Sequence, residues 1–360
     1  MHHPVIRAIA AIAVLAAITN SLRAEDKPAA PAFEPNGTVH VPAFDLPPST
    51  LISKEALEAQ TLRARMPVRV PSSAGDIAAV RKGLEAMLAP QVVGMRKQYP
   101  VDVVDQAIAG IPTRIVTPSD KPIDRKHVLI NLHGGAFTEC ADACAMLESV
   151  PIASVGGYKV VTVNYRMAPE ATHPAAVEDI ATVYRELLKS YKPRSIGIYG
   201  CSAGGALSAE TAAWLPAHGL PQAGAVGIFG AGGVRFGAGD SAWVSAYIDG
   251  IFPPPARPGE TQPDITRGYF GNTDMADPII SPALHPDVVA KFPPTLIITG
   301  TRAMDMSPAI YTNSQLLKAG VRSTLIVGEG MSHCYIYQSN LPEARDAYQV
   351  IANFFRENLK

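Results

Sequence analysis

The feature that most constrains this chain is the pentapeptide Gly200-Cys201-Ser202-Ala203-Gly204, a G-x-S-x-G pattern. It follows a short apolar run at residues 195–199 and precedes a small-residue segment at residues 205–214, which places it between a strand and a helix. Glycines two residues before and two residues after the serine let the strand and the helix approach closely. The pattern therefore predicts a strained turn that lifts the Ser202 hydroxyl clear of a sheet.

Length and composition predict one large globular unit that binds a small molecule. The chain has 360 residues, of which 47% are hydrophobic and 18% charged, enough for a sizeable core. The formal net charge is -1, and no basic patch or long run of one sign is visible. This balance gives no electrostatic reason to expect nucleic acid or an anionic membrane surface as the partner.

The N-terminal segment has the composition of a secretory signal peptide over residues 1–24. Arg7 precedes an apolar run at residues 8–18, and Ala24 is a small residue at a suitable cleavage position. The run is too short to cross a bilayer, so we expect export to the periplasm or the exterior and no stable membrane insertion after signal removal. Residues 25–49 are rich in proline and alanine and are predicted to be a linker without regular structure.

The remaining sequence alternates short β-rich runs with helical ones, which predicts an α/β fold with a mostly parallel central sheet flanked by helices. Strands are expected at residues 113–116, 128–132, 160–163, 196–199, 226–229, 296–299 and 324–327, and helices at residues 174–188 and 308–319. Residues 50–100 are predicted to form N-terminal cap helices. A second cap segment is expected at about residues 230–282, within a catalytic domain at residues 101–360. Insertions of this kind would lie over the carboxyl ends of the strands, where open sheets bind ligands.

A serine nucleophile needs a general base within hydrogen-bond reach and an acid that holds the base in the right tautomer. His333 follows the last predicted strand, and Asp305 follows the strand at residues 296–299. The chain order serine, acid, histidine is the order that this strand-turn-helix arrangement requires. We therefore predict a catalytic triad of Ser202, Asp305 and His333.

A second glycine-containing loop predicts an oxyanion hole. The sequence His133-Gly134-Gly135-Ala136 follows the strand at residues 128–132. Backbone N–H groups of Gly134, Gly135 and Ala136, together with that of Ala203, are expected to face a developing oxyanion.

Jointly these motifs resemble the hormone-sensitive-lipase branch of the α/β-hydrolases, also called bacterial family IV esterases. The resemblance covers roughly residues 100 to 360 and includes V-N-Y-R-M-A-P-E at residues 163–170 and D-P-I-I-S-P at residues 277–282. It implies the α/β-hydrolase fold with a helical cap, a carboxylic-ester hydrolase acting on short- to medium-chain esters through an acyl-enzyme, and no cofactor or metal.

Three positions depart from the pattern of that branch. Ala136 stands where glycine is usual, and its methyl group enters the predicted pocket. Cys201 stands where aspartate is usual, which removes a carboxylate from the turn. The acid usually follows Gly300-Thr301-Arg302 directly, yet Ala303 stands there and the carboxylate is two residues later, at Asp305. Asp277 is the alternative acid.

The four cysteines and the substrate leave several alternatives open. Cys201 and Cys334 either form a disulfide or remain free thiols. Cys140 and Cys144 are predicted to be small packing residues. A deacetylase, lactonase or amidase on the same scaffold, and a non-catalytic ligand-binding protein, remain alternative functions. The oligomeric state is not predicted.

Overall fold

The computed structural model describes residues 30–63, 65, 75–256 and 259–360. The predicted signal peptide at residues 1–24 lies outside them. The described residues divide between two compact units, one before and one after the boundary at Pro47 and Pro48.

The described part of the first unit contains a small hairpin, which corrects the prediction of a linker without regular structure. Strand β1 (Ala32–Phe33) pairs antiparallel with β2 (Val39–His40). The Asn36 side chain accepts a hydrogen bond from the backbone N–H of Thr38 at 2.8 Å, and Gly37 has φ 89°. Asn-Gly is a strong hairpin signal, which the proline and alanine content of the segment obscured.

An eight-stranded sheet in the order β10-β9-β8-β7-β5-β6-β4-β3 forms the centre of the second unit. The strands are β3 (Val101–Ile108), β4 (Ile111–Pro118), β5 (Asp124–Leu132), β6 (Tyr158–Val163), β7 (Ile196–Cys201), β8 (Ala225–Phe229), β9 (Thr295–Gly300) and β10 (Ser323–Gly328). Strand β3 pairs antiparallel with β4, and β4 antiparallel with β6, while the other neighbouring pairs are parallel. The predicted α/β fold with a mostly parallel sheet is confirmed.

Helices cover both faces of the sheet. Their bounds are α1 (Lys54–Arg63), α2 (Ile77–Gln98), α3 (Ala143–Gly156), α4 (Ala175–Leu187), α5 (Ala203–Ala217), α6 (Ser241–Asp249), α7 (Pro286–Val289), α8 (Met306–Lys318) and α9 (Pro342–Asn358). Among the described residues, none of these helices is both long and apolar enough to cross a membrane.

The two cores on either side of the sheet follow from side chains that alternate along each strand. On β5, Ile130 belongs to the core that includes Ile180 of α4 and Leu207 of α5. Its neighbour Leu129 belongs to the opposite core, which includes helices α3 and α9 through residues such as Tyr348. Strands buried on both faces give the continuous apolar runs from which they were predicted.

Helices α1 and α2 occupy the segment predicted to form N-terminal caps, and α6 lies in the segment predicted as the second cap insertion. Helix α2 is attached to the loop after β5, because the Arg81 Nε donates to the carbonyl oxygen of Thr138 at 2.7 Å. Arg81 also forms an ion pair with Glu170 at 2.7 Å. The proposed domain boundaries themselves stay a prediction.

Candidate active site

The serine of the G-x-S-x-G pattern lies at a sharp turn between β7 and α5. Ser202 has φ 60° and ψ -122°, a conformation that non-glycine residues rarely adopt. A Cβ atom on Gly200 would lie 2.1 Å from the carbonyl oxygen of Leu132, and one on Gly204 would lie 1.7 Å from the same atom. Both positions therefore require glycine, and the close approach of β5, β7 and α5 fixes the strained turn at Ser202.

Ser202 lines a cavity of about 470 Å³ together with Ala136, Phe137 and Ala203. Among the described residues, no hydrogen bond holds the Ser202 hydroxyl, including none to His333. The hydroxyl is thus accessible from the cavity and is not engaged in a structural contact.

The structure brings Asp305 and His333 together. The Nδ1 atom of His333 lies 2.6 Å from Oδ1 of Asp305, and the two side chains are 7% and 0% exposed. The Thr299 hydroxyl donates to the other carboxylate oxygen of Asp305 at 2.5 Å. A buried acceptor at this distance fixes the imidazole tautomer with its proton on Nδ1, which leaves Nε2 as the basic nitrogen. The alternative acid, Asp277, accepts instead from the backbone N–H of Ile279 at 2.7 Å.

A disulfide connects the residue before Ser202 to the residue after His333. The Cα atoms of Cys201 and Cys334 are 6.2 Å apart, and the Cys334 sulfur lies 3.6 Å from Nε2 of His333. Of the two states left open by the sequence, the bonded one is present. This cross-link ties the nucleophile turn to the histidine loop, so the two predicted catalytic residues belong to one covalently connected site.

The second disulfide corrects the prediction for Cys140 and Cys144, which are bonded to each other with Cα atoms 5.3 Å apart. Residues four apart share a helix face only where both lie in one helix. Helix α3 begins only at Ala143, and Cys140 lies before it with φ 68°.

The loop after β5 lines the cavity at Ala136 and Phe137, and one of its hydrogen bonds corrects the predicted set of oxyanion donors. Gly135 has φ 115° and Ala136 has φ 52°. A Cβ on Gly135 would lie 1.9 Å from the carbonyl oxygen of Glu139, so glycine is required there. The N–H of Gly134 donates to Oε1 of Glu148 at 2.9 Å and is therefore not available to an oxyanion. Gly135, Ala136 and Ala203 remain as the candidate donors.

Glu148, a residue the sequence analysis missed, connects three loops of the site. Its Oε1 accepts from the N–H of Gly134 and, at 2.6 Å, from the hydroxyl of Tyr337, which follows the histidine loop. Its Oε2 accepts from Asn131 at 2.8 Å and from the N–H of Cys201 at 3.2 Å. Burial raises the pKa of Glu148 to about 7, and these four donors oppose the shift.

Glu148 of α3 thus places a carboxylate beside the backbone of Cys201, the position where the resembled branch usually has an aspartate. The sequence contained a signal for this role, because Glu148 is the one charged residue within the otherwise apolar helix Ala143–Gly156. A lone buried charge in such a helix needs polar partners.

Two aromatic rings and a second carboxylate surround the imidazole of His333. Phe236 and Phe252 contact it edge to face, with ring centroids 5.3 Å and 4.9 Å away. The Oδ2 of Asp249, on α6, accepts from the backbone N–H of His333 at 3.4 Å. Burial raises the pKa of Asp249 to about 6, opposed by its attraction to His333. The segment predicted as a cap insertion therefore shields the base from solvent.

Comparison with known proteins identifies the family of this chain. Residues 129–337 match the family model described as the alpha/beta hydrolase fold. The match spans more than half of the chain, and the protein therefore belongs to the α/β-hydrolase family.

Individual relatives are similar over most of their length. An acetyl-hydrolase of Streptomyces hygroscopicus is 30% identical over 237 residues, which cover 63% of this chain and 75% of that protein. The crystal structure of an esterase E25 superposes with a TM-score of 0.76 at 24% identity, covering 89% of this chain and 99% of that one. An esterase from the bacterial hormone-sensitive lipase family superposes with a TM-score of 0.72 at 23% identity, covering 86% and 99%.

The family model and these structures confirm the predicted α/β-hydrolase fold. These findings also confirm the predicted enzyme class, a hydrolase that acts on esters.

Proposed function

We propose that this protein hydrolyses short- to medium-chain carboxylic esters through an acyl-enzyme formed on Ser202, with His333 as general base and Asp305 as the acid of the triad. The observation that carries the proposal is the 2.6 Å hydrogen bond between His333 and the buried Asp305, held next to the nucleophile turn by the Cys201–Cys334 disulfide. This pair sets the tautomer that a serine nucleophile requires.

In the proposed reaction, Nε2 of His333 takes the proton of the Ser202 hydroxyl as its oxygen attacks the ester carbonyl. Among the described residues, no hydrogen-bond donor contacts Nε2. The disulfide sulfur of Cys334 lies 3.6 Å from this nitrogen. The nitrogen is therefore free to accept the proton. The protonated imidazole then gives this proton to the departing alcohol, and water releases the acid in a second half-reaction that uses the same base.

The negative charge that forms on the carbonyl oxygen would be stabilised by the amides of Gly135, Ala136 and Ala203. Ala136 and Ala203 line the same cavity as Ser202. Removal of a single donor from such an oxyanion hole typically costs about 10²–10³ in rate. The proposed reaction needs neither a metal nor a cofactor, because acid-base and nucleophilic groups of the chain supply every step.

Turnover of p-nitrophenyl acetate and butyrate tests the proposal. We expect hydrolysis of both esters by the wild-type protein and a loss of at least about 10³-fold in kcat for Ser202→Ala. Ser190→Ala, at an exposed position after α4, is the matched control and should retain full activity. Equal activity of Ser202→Ala and wild type would contradict the proposal. Amide, lactone and acetylated-carbohydrate substrates are assayed in parallel. Their kcat/KM values relative to those of the two esters distinguish an amidase, a lactonase or a deacetylase from an esterase.

We also propose that the protein acts outside the cytoplasm, since two disulfides are typical of an oxidising compartment. N-terminal sequencing of the protein recovered from the secreted or periplasmic fraction should begin after Ala24. An intact Met1 in that fraction would contradict the proposed processing.

A further inference from the structure

One charged side chain lies on the same face of α5 as the nucleophile. Ser202, Ala206 and Glu210 are spaced four residues apart, and all three line the cavity. Eight residues of helix correspond to about 12 Å along the axis. Glu210 therefore lies two helical turns from the reacting centre, on the cavity wall that a substrate arm running along α5 would contact.

No hydrogen bond to a basic group explains the burial of Glu210. Its side chain is 1% exposed, and its Oε2 has no hydrogen-bond partner. Nδ1 of His173 lies 3.8 Å from Oε2 of Glu210, within ion-pair distance but too far for a hydrogen bond. Burial lowers the pKa of His173, which disfavours the charged imidazole that such an ion pair requires. A buried carboxyl group in this state is costly unless something else satisfies it.

Glu210 shares its cavity wall with aromatic rings and lies near one other carboxylate. Phe137 and Phe270 line the cavity with it, and their ring centroids are 5.0 Å apart. Asp277 is close enough to raise the pKa of Glu210 by electrostatic repulsion. The other charged lining residues, Arg235 and Asp264, are exposed. A carboxyl group beside aromatic faces, in a region of negative charge, suits a cation better than a neutral or anionic group.

We propose that Glu210 forms an ammonium-binding subsite, so that the preferred ester carries a positively charged nitrogen on the arm that lies along α5. The inference rests on the proposed function and names a substrate class for the same cavity. The cation supplies the electrostatic partner that Glu210 lacks, and Phe137 and Phe270 contact its methyl or methylene groups. A neutral arm of equal size fills the volume but leaves the carboxyl group without a partner.

A pair of esters matched in shape tests this subsite. p-Nitrophenyl 5-(trimethylammonio)pentanoate and p-nitrophenyl 6,6-dimethylheptanoate differ only in the replacement of the quaternary nitrogen by carbon. On the alcohol side, 4-(trimethylammonio)butyl acetate and 5,5-dimethylhexyl acetate form the equivalent pair. At pH 9, where Glu210 is charged, we expect kcat/KM for the cationic member of one pair to exceed that of the neutral member by at least about tenfold, and Glu210→Gln to reduce this ratio to about one.

Two further measurements separate this inference from the proposed function. Hydrolysis of p-nitrophenyl acetate by wild type and by Glu210→Gln gives the reference rate of each protein, against which its rates on the cationic and neutral esters are expressed. Calorimetric binding of the same esters to Ser202→Ala and to the Ser202→Ala/Glu210→Gln variant measures the cation preference without any turnover. Absence of acetate hydrolysis by wild type would overturn the proposed function alone. Equal binding of the cationic and neutral esters to Ser202→Ala, or a preference that survives in the double variant, would overturn the subsite.

Discussion

Cys201 and Cys334 are 133 residues apart in the sequence, yet a disulfide joins them immediately beside the two residues on which the proposed chemistry depends. One cysteine precedes Ser202 and the other follows His333. The bond therefore limits how far the base can move from the nucleophile.

Removal of this disulfide should lower both stability and activity. The Cys201→Ala/Cys334→Ala variant opens a loop of 133 residues, and chain entropy predicts a loss of about 5 kcal/mol in the free energy of unfolding. The Cys140→Ala/Cys144→Ala variant opens a four-residue separation and should lose only about 2 kcal/mol. Denaturant unfolding and kcat measured on both variants check this, and a larger activity loss in the Cys140/Cys144 variant would contradict it.

Asp305→Asn should remove the group that orients His333. The amide can present its N–H₂ to Nδ1 and favour the wrong tautomer, so we expect kcat to fall by about 10³–10⁴. Asp277→Asn is the matched control and should stay within about threefold of wild type in the same ester assay. A loss below about tenfold in Asp305→Asn would assign the acid elsewhere.

Substitutions at two of the positive-φ residues in the oxyanion loop, Gly135 and Ala136, should have opposite outcomes. Gly135→Ala places a Cβ 1.9 Å from the carbonyl oxygen of Glu139, and we expect its kcat to fall by at least about 10². Ala136→Gly relieves the backbone at φ 52° and removes a methyl group from the cavity. Its unfolding free energy should stay within about 1 kcal/mol of wild type, and kcat/KM should rise for bulky acyl esters relative to acetate. The opposite change in this ratio would contradict the position of Ala136 in the cavity.

Glu148→Gln should impair the loops that this carboxylate connects. Oε1 accepts from the N–H of Gly134 and Oε2 from Asn131 and the N–H of Cys201, so the amide group of glutamine meets an N–H donor in either orientation. One unsatisfied buried donor costs about 1–3 kcal/mol in stability.

We expect a lower melting temperature for Glu148→Gln and a fall in kcat with little change in KM, since the oxyanion loop shifts while the cavity wall stays. Tyr337→Phe, which removes one donor and keeps the carboxylate, should show the smaller effect on both quantities. Full activity of Glu148→Gln would show that the carboxylate does not position the loops.

The ammonium subsite predicts a specific pH dependence. Burial, and secondarily Asp277, raises the pKa of Glu210 to about 8, so the side chain is neutral below this pH and charged above it. The ratio of kcat/KM for the cationic ester over its neutral isostere should therefore rise as the pH increases through about 8. A ratio that is flat from pH 6 to pH 9, or one equally pH-dependent in Glu210→Gln, would contradict this.

Much of the fold could be predicted because the strands buried on both faces are continuous apolar runs. Each of the seven predicted strands lies within one of the strands β4 to β10. Helices α4 and α8 match the two predicted helices to within two residues at each end. Strand β3 was missed because it is an edge strand whose apolar residues alternate with Asp102, Asp105 and Gln106. Its pairing with β4 is decided by the turn at Ala109-Gly110, where both residues have positive φ.

Some residues of the site could likewise be predicted from the sequence, and others could not. Ser202, Asp305 and His333 could be proposed because each follows a strand in a fixed chain order. Glu148 and Glu210 could not, because their roles depend on contacts between distant segments that no local pattern encodes. A physical signal was nevertheless present: each is the single charged residue in an apolar helix, α3 and α5 respectively.

The most direct test of the account is to identify the residue that a fluorophosphonate modifies. After reaction, peptide mass mapping should locate one phosphonyl group on Ser202, and labelling should be absent in Ser202→Ala and at least about 10²-fold slower in His333→Ala. Modification of another serine, or labelling of Ser202→Ala at the wild-type rate, would contradict the assignment of this hydroxyl as the nucleophile.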